Sequence, residues 1–192
     1  LHSSLLGDEA TLSQLVTKSE QLRSDAKQKG ISSLLFDAGD NFSGTPEAGA
    51  SDVGLVETKA INKYMKVDAF VPGNHVADAG NAEVDVDGWV RVIKQIRGEL
   101  GDIPGVAANI ELPGHPGFSG PTGTVYKPYR IVEVTGANGA SEQVGVVGLV
   151  TEELVNAAKR GDLVYLDAER EATRWIGHLN TPKSEGLSLI HI

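Results

Sequence analysis

The chain has 192 residues, long enough for one domain with a substantial buried core and short for two. Apolar residues make up 40% and charged residues 22%, which excludes the disordered and fibrous classes, and no apolar run approaches the ~18 residues of a membrane span. Lys and Arg total 17 against 26 Asp and Glu, a net charge of −9 with no basic cluster. That balance argues against a nucleic-acid polymer as partner and leaves room for a small anionic substrate met through bound cations.

Cysteine is absent, which removes disulfides, thiolate metal sites and a Cys nucleophile. The chain opens on Leu1, and nothing before residue 30 has the basic start and apolar centre of a signal peptide, so a processed start or a fragment is expected.

From Glu9 to Lys29 the residues Leu12, Leu15, Val16, Leu22 and Ala26 fall mostly on one helical face, and Gly30 stands where a C-terminal cap belongs. Ile31 to Phe36 then reads as a short buried strand that ends abruptly in Asp37-Ala38-Gly39-Asp40. The layout recurs. Val53, Val56, Ala60, Ile61 and Tyr64 predict a second helix, and Asp68 to Val71 a strand running into Pro72-Gly73-Asn74-His75. Trp89, Val92, Ile93, Ile96 and Leu100 predict a third helix before the strand-like Val106-Ala107-Ala108.

Glu111 to Gly123, rich in Pro and Gly, reads as a surface loop. Thr124 to Thr135 and Gln143 to Val150 predict two strands of a hairpin, and Glu152 to Lys159 and Ala168 to Leu179 two further helices. Helices alternating with short apolar strands predict an α/β domain with parallel pairing, in which ligands gather beyond the carboxyl ends of the strands. Both polar clusters named above lie just past such ends.

The first cluster, Asp37 to Pro46, places Asp40 between a flexible glycine and an amide, directly after a buried strand. One carboxylate there can bridge two cations at the ~3.5–4 Å separation of two-metal sites. The plainer alternative is an Asx-type turn that closes the strand. The second cluster, Gly73-Asn74-His75-Val76-Ala77-Asp78, adds a neutral oxygen ligand in Asn74 and a proton donor or ligand in His75. Asp78 is near enough in sequence to orient that imidazole if the segment turns. An exposed turn histidine is the alternative, and the two clusters together carry the functional reading.

In that order, strand, Gly39-Asp40-Asn41, helix, strand, Gly73-Asn74-His75, the chain resembles the calcineurin-like metallophosphoesterase superfamily, and more particularly its 5′-nucleotidase branch. Leu1-His2 resembles the end of that family's opening Asp-x-His motif. Leu35 to Pro46 resembles its bridging-Asp segment, and Gly73-Asn74-His75 with Asp78 its Gly-Asn-His-Glu-Phe-Asp. Val106 to Asn109 and Gly145 to Thr151 resemble further segments, so the likeness covers about residues 1 to 151. Val76 and Ala77 stand where the family has Glu and Phe.

The resemblance implies a partial α/β/β/α layered sandwich over residues 1–192 as one catalytic domain, without the family's C-terminal substrate-binding domain. It implies two divalent metal ions, of Mn, Zn, Fe or Co, with His2 on the first, Asp40 bridging and Asn74 on the second. His75 is then the catalytic histidine and Asp78 its orienting partner. Gly186 to Ile192 resembles the strand that presents the next metal-binding His, which makes His191 a ligand of the second metal. The same closing residues also read as translated sequencing-library adaptor. His115 and His178 are assigned to surface and packing roles.

The implied reaction is hydrolysis of a phosphomonoester, a 5′-nucleotide or related small molecule. The alternatives are a nucleotide-sugar hydrolase or cyclic-nucleotide phosphodiesterase on the same scaffold, and a non-catalytic binding module of that fold. The family's opening Asp has no counterpart here, so weak metal binding and little turnover are expected of these 192 residues. The resemblance also suggests a periplasmic, cell-surface or secreted location. Asn41-Phe42-Ser43 fits the N-glycosylation pattern but lies inside the proposed metal loop, where a glycan would block the chemistry.

Overall fold

The computed structural model describes residues 9–40, 59, 61–76, 94–95, 97–113, 126–135, 139–158, 163–181 and 187–191; for 9–12, 157–158 and 187–191 it describes the backbone alone. The predicted positions His2, Asp78 and His115, the Asn41-Phe42-Ser43 pattern and most of the 111–123 loop lie outside the described residues.

Helix α1 spans Glu9–Gln28 and ends as predicted on Gly30, whose φ of 68° suits a residue without Cβ. The Ile31 amide donates back to the Ala26 carbonyl at 2.9 Å, satisfying one of the last helical carbonyls. Strand β1 is shorter than predicted: only Phe36–Asp37 forms a ladder, parallel to β2, Ala69–Phe70. The cause is Asp68, whose Oδ2 accepts the Leu35 amide at 2.8 Å where a backbone carbonyl would serve in a longer strand. Ile31, half exposed, and Ser32, whose hydroxyl bonds the backbone of Thr135, are likewise drawn out of the ladder.

The parallel pattern continues through single bridges, Phe70 with Gly105 and Val106 with Lys127. A π-helix, Ile61–Met65, stands where the second helix was predicted, and residues 94–95 and 97–100 are helical where the third was. Strand β3, Ile110–Glu111, pairs antiparallel with β6, Val164–Tyr165. The predicted hairpin is present as β4, Tyr129–Thr135, antiparallel to β5, Ser141–Val147. Strand β7, Leu187–His191, lies parallel to β5 on its other side. Parallel pairing therefore rules the first half of the chain and a mixed sheet the second. Helix α2, Glu152–Ala158, and helix α3, Ala168–Leu179, match the predicted segments closely.

Alternation of side chains along the strands builds the layers. On one face of the first sheet, Leu35 and Phe70 meet Leu15 and Val16 of α1 and Ile61 and Met65 of the π-helix. On its other face, Phe36, Ala69, Val71 and Val106 pack against Val132, Val134, Val144 and Val146 of β4 and β5. The far side of that second sheet, through Tyr129 and Val147, receives Trp175 and Leu179 of α3. The order is helix, sheet, sheet, helix, the layered α/β/β/α architecture, and it leaves the carboxyl ends of β1 and β2 side by side. Among the described residues no helix is long and apolar enough to cross a membrane.

Candidate active site

Two loops leave adjacent parallel strands and cross at a pair of glycines. After β1, Asp37 Oδ1 accepts the Gly39 amide at 3.0 Å, a local turn that bends the chain sharply. Gly39 takes φ 90° and Asp40 φ 62°, an uncommon conformation for a residue with a Cβ. After β2, Val71 donates to the Asp37 carbonyl at 3.1 Å, and Pro72 and Gly73 follow fully buried. A Cβ on Gly73 would overlap Asp40 Oδ1, and one on Gly39 would overlap Gly73 N and stand 2.6 Å from the Val71 carbonyl oxygen. Only glycine lets the two loops lie this close.

The consequence is a direct link between the two sequence clusters. The His75 backbone amide donates to Asp40 Oδ1 at 3.0 Å, so Asp40, Asn74 and His75 occupy one spot, each partly buried. The contact joins the backbone of the second cluster to the Asp40 side chain of the first. Of the other predicted site residues, His2 and Asp78 lie outside the described residues, and His191 is placed only by its backbone, opposite Val147 in the β5–β7 ladder. Among the described residues no group of three or more His, Cys, Asp and Glu gathers to hold a metal. Asp40 and Asn74, on loops joined by the bond from the His75 amide, nevertheless offer a carboxylate and an amide oxygen, donor types that suit a divalent cation.

Two residues at the site were not singled out from sequence. Glu153, in the first turn of α2, accepts a hydrogen bond from Asn74 Nδ2 at 3.3 Å through Oε2. An acidic residue there reads as ordinary compensation of the helix dipole, and nothing in the sequence ties it to a residue 79 positions earlier. Asn109 is fully buried, with its Nδ2 donating to the Val150 carbonyl and its Oδ1 accepting the Val150 amide, both at 2.9 Å. An Asn at the end of the apolar run Val106-Ala107-Ala108 was the available signal for such a clamp. It joins the residue just before β3 to the segment that starts α2. His178 plays the packing role expected of it, its ring 5.7 Å from Tyr129 and 5.6 Å from Trp175.

Comparison with known proteins bears on the fold. No family model matches the chain. A 5′-nucleotidase of Vibrio cholerae is 27% identical over 172 residues, 88% of this chain and 27% of that protein, so the chain spans about a quarter of the relative's length. Among solved structures, the NAD nucleotidase NadN of Haemophilus influenzae superposes with a TM-score of 0.67 at 21% identity, over 94% of this chain and 31% of that one. The calcineurin-like phosphoesterase YfkN of Bacillus subtilis gives a TM-score of 0.63 at 20% identity, over 92% of this chain and 53% of that one. At such identities the two structures speak for the fold. With the sequence likeness added, the chain has the fold of the calcineurin-like phosphoesterases and is similar in sequence to a 5′-nucleotidase.

Proposed function

We propose that this chain carries the catalytic site of a phosphomonoester hydrolase that acts on nucleotides with the help of two divalent cations. The observation that supports the reading is the hydrogen bond from the His75 backbone amide to Asp40 Oδ1, which joins the loop carrying Asn74 and His75 to the Asp40 carboxylate at adjoining strand ends. The kinship with a 5′-nucleotidase supports the choice of a nucleotide as substrate. The family resemblance suggests a periplasmic, cell-surface or secreted setting.

Asp40, Asn74, His2 and His191 are the residues that would hold the cations. When bound, the cations supply positive charge against the phosphoryl oxygens and lower the pKa of water. Asp40, fixed by its bond to the His75 amide, holds its carboxylate in one orientation without paying side-chain entropy on binding. His75 sits beside it, where its imidazole N–H can donate to a phosphoryl oxygen or to the departing alkoxide. Asp78, three residues on, orients that ring.

Mn2+ titration of this chain, followed by calorimetry, tests the reading. Weak uptake is expected, lowered at least about tenfold by Asp40→Ala, as loss of a ligand should do. In the same samples, Mn2+-dependent hydrolysis of AMP is expected to be slow and to exceed hydrolysis of bis(p-nitrophenyl) phosphate. His75→Ala should lower that rate by about 10²–10⁴-fold while leaving Mn2+ uptake unchanged. Preference for the diester would replace the monoesterase reading with a diesterase on the same scaffold. Absence of Mn2+ uptake would favour a non-catalytic module.

A further inference from the structure

We propose that Glu153 is a positioning residue that fixes the side-chain amide of Asn74 so that its oxygen faces the cation; this rests on the metal site proposed above. The amide of an asparagine has two orientations that differ by a half-turn and exchange an acceptor for a donor. Only one of them presents oxygen to a cation. The other turns an N–H₂ group toward it, which is repelled.

The structure contains a group that distinguishes the two. Glu153 Oε2 lies 3.3 Å from Asn74 Nδ2, and an ionised carboxylate can only accept. The nitrogen therefore stays on the Glu153 side, and the oxygen is turned away from it. The same logic holds metal-bound histidines in one tautomer through a carboxylate on the far side of the ring.

Glu153 can perform this task only if its own place is fixed, and three contacts fix it. Asn109 clamps Val150 through both backbone groups, just before the helix begins. Gly148 lies so close to Val106 that a Cβ would stand 2.5 Å from the Val106 carbonyl oxygen, which ties the same segment to the sheet. Leu154, next to Glu153, is fully buried in the core under the first sheet, and its amide donates to the Thr151 carbonyl at 3.3 Å. The first turn of α2 is thus anchored on its buried side, and Glu153 reaches from it to Asn74.

Mn2+ affinity of the chain, read by calorimetry and by water-proton relaxation, tests the proposal without any turnover. Glu153→Ala should weaken Mn2+ binding about tenfold, whereas Glu153→Gln, whose amide oxygen still accepts from Asn74, should stay within about threefold of the unsubstituted chain. Asn74→Ala should weaken binding as well, and the double variant Asn74→Ala/Glu153→Ala should be no weaker than Asn74→Ala alone, because Glu153 acts through Asn74. The thermal midpoint of each Glu153 variant should stay unchanged, since the pair is exposed. Additive losses, or a Gln variant as weak as the Ala variant, would make Glu153 a ligand in its own right and overturn the positioning role. An Ala variant with full affinity beside a weakened Asn74→Ala overturns the proposal and leaves the site standing. A chain whose Mn2+ uptake is nil, or indifferent to both Asp40 and Asn74, removes site and proposal together.

Discussion

At Gly73 one hydrogen atom decides whether the site exists, because a methyl group there would occupy the place of the Asp40 carboxylate. Gly73→Ala should destabilise the fold by about 1–3 kcal/mol, the usual cost of overpacking, and abolish Mn2+ uptake even where the protein stays folded. Chemical denaturation and calorimetry on the same sample check both parts. Gly39→Ala meets the same obstruction and adds the strain of φ 90°, so it should cost at least as much. Arg97 is a different kind of residue. Its guanidinium is half-buried, Nε and Nη2 find no partner among the described residues, and burial holds its pKa below the ordinary value against the opposing pull of Asp102 and Tyr126. Replacing a desolvated, poorly paired cation by an apolar side chain of similar length is commonly neutral or favourable. Arg97→Met should therefore keep or raise the denaturation midpoint, and a drop of more than about 1 kcal/mol would show that the charge has a use here.

Among the elements, the clamp of Asn109 on Val150 joins the start of β3 to the segment before α2 through two hydrogen bonds made in full burial. Asn109→Ala leaves a buried amide and a buried carbonyl without partners, so the expected loss is about 2–4 kcal/mol, measurable by denaturant titration. Helix α3 starts on Asp167, whose Oδ1 accepts the Arg170 amide at 2.8 Å, and Asp167→Ala should cost about 1 kcal/mol. The helical turn at 97–100 is held by a hydrogen-bonded ion pair between Glu99 and Lys59. Hydrogen bonds from Lys59 and Gln95 keep the Glu99 carboxyl below its ordinary 4.5. Its contribution to stability is present above that value and lost as the pH falls through the lower, folded-state value; Lys59→Met should flatten the acid limb of the stability profile there.

How much of this was legible follows from the physics of each element. Helices α1, α2 and α3 and the β4–β5 hairpin were readable because caps, periodicity and turn residues are local signals. Strand β1 was overread, because Ile31 to Phe36 looks like one apolar run and only tertiary contacts, Asp68 on Leu35 and Ser32 on Thr135, cut it short. That the loops carrying Asp40 and His75 meet was legible through two motifs at strand ends. Glu153 was not, because a hydrogen bond between residues 74 and 153 leaves no trace in either neighbourhood.

For the molecule as a whole, the two sheets divide the work. The first carries the candidate site at its strand ends, and the second, with α3 behind it, closes the core on the far side. Trp175 marks that far side: its indole is buried between Tyr129, 5.5 Å away, and His178, with the Arg174 guanidinium 4.9 Å from the ring centre. The chain has one other tryptophan, Trp89, so a Trp89→Phe background leaves Trp175 as a single emitter. Its fluorescence would then report whether the rear layer is docked and remain indifferent to events at Asp40 and Asn74. The protein thus carries its own internal light source for telling a variant that has lost its chemistry from one that has come apart.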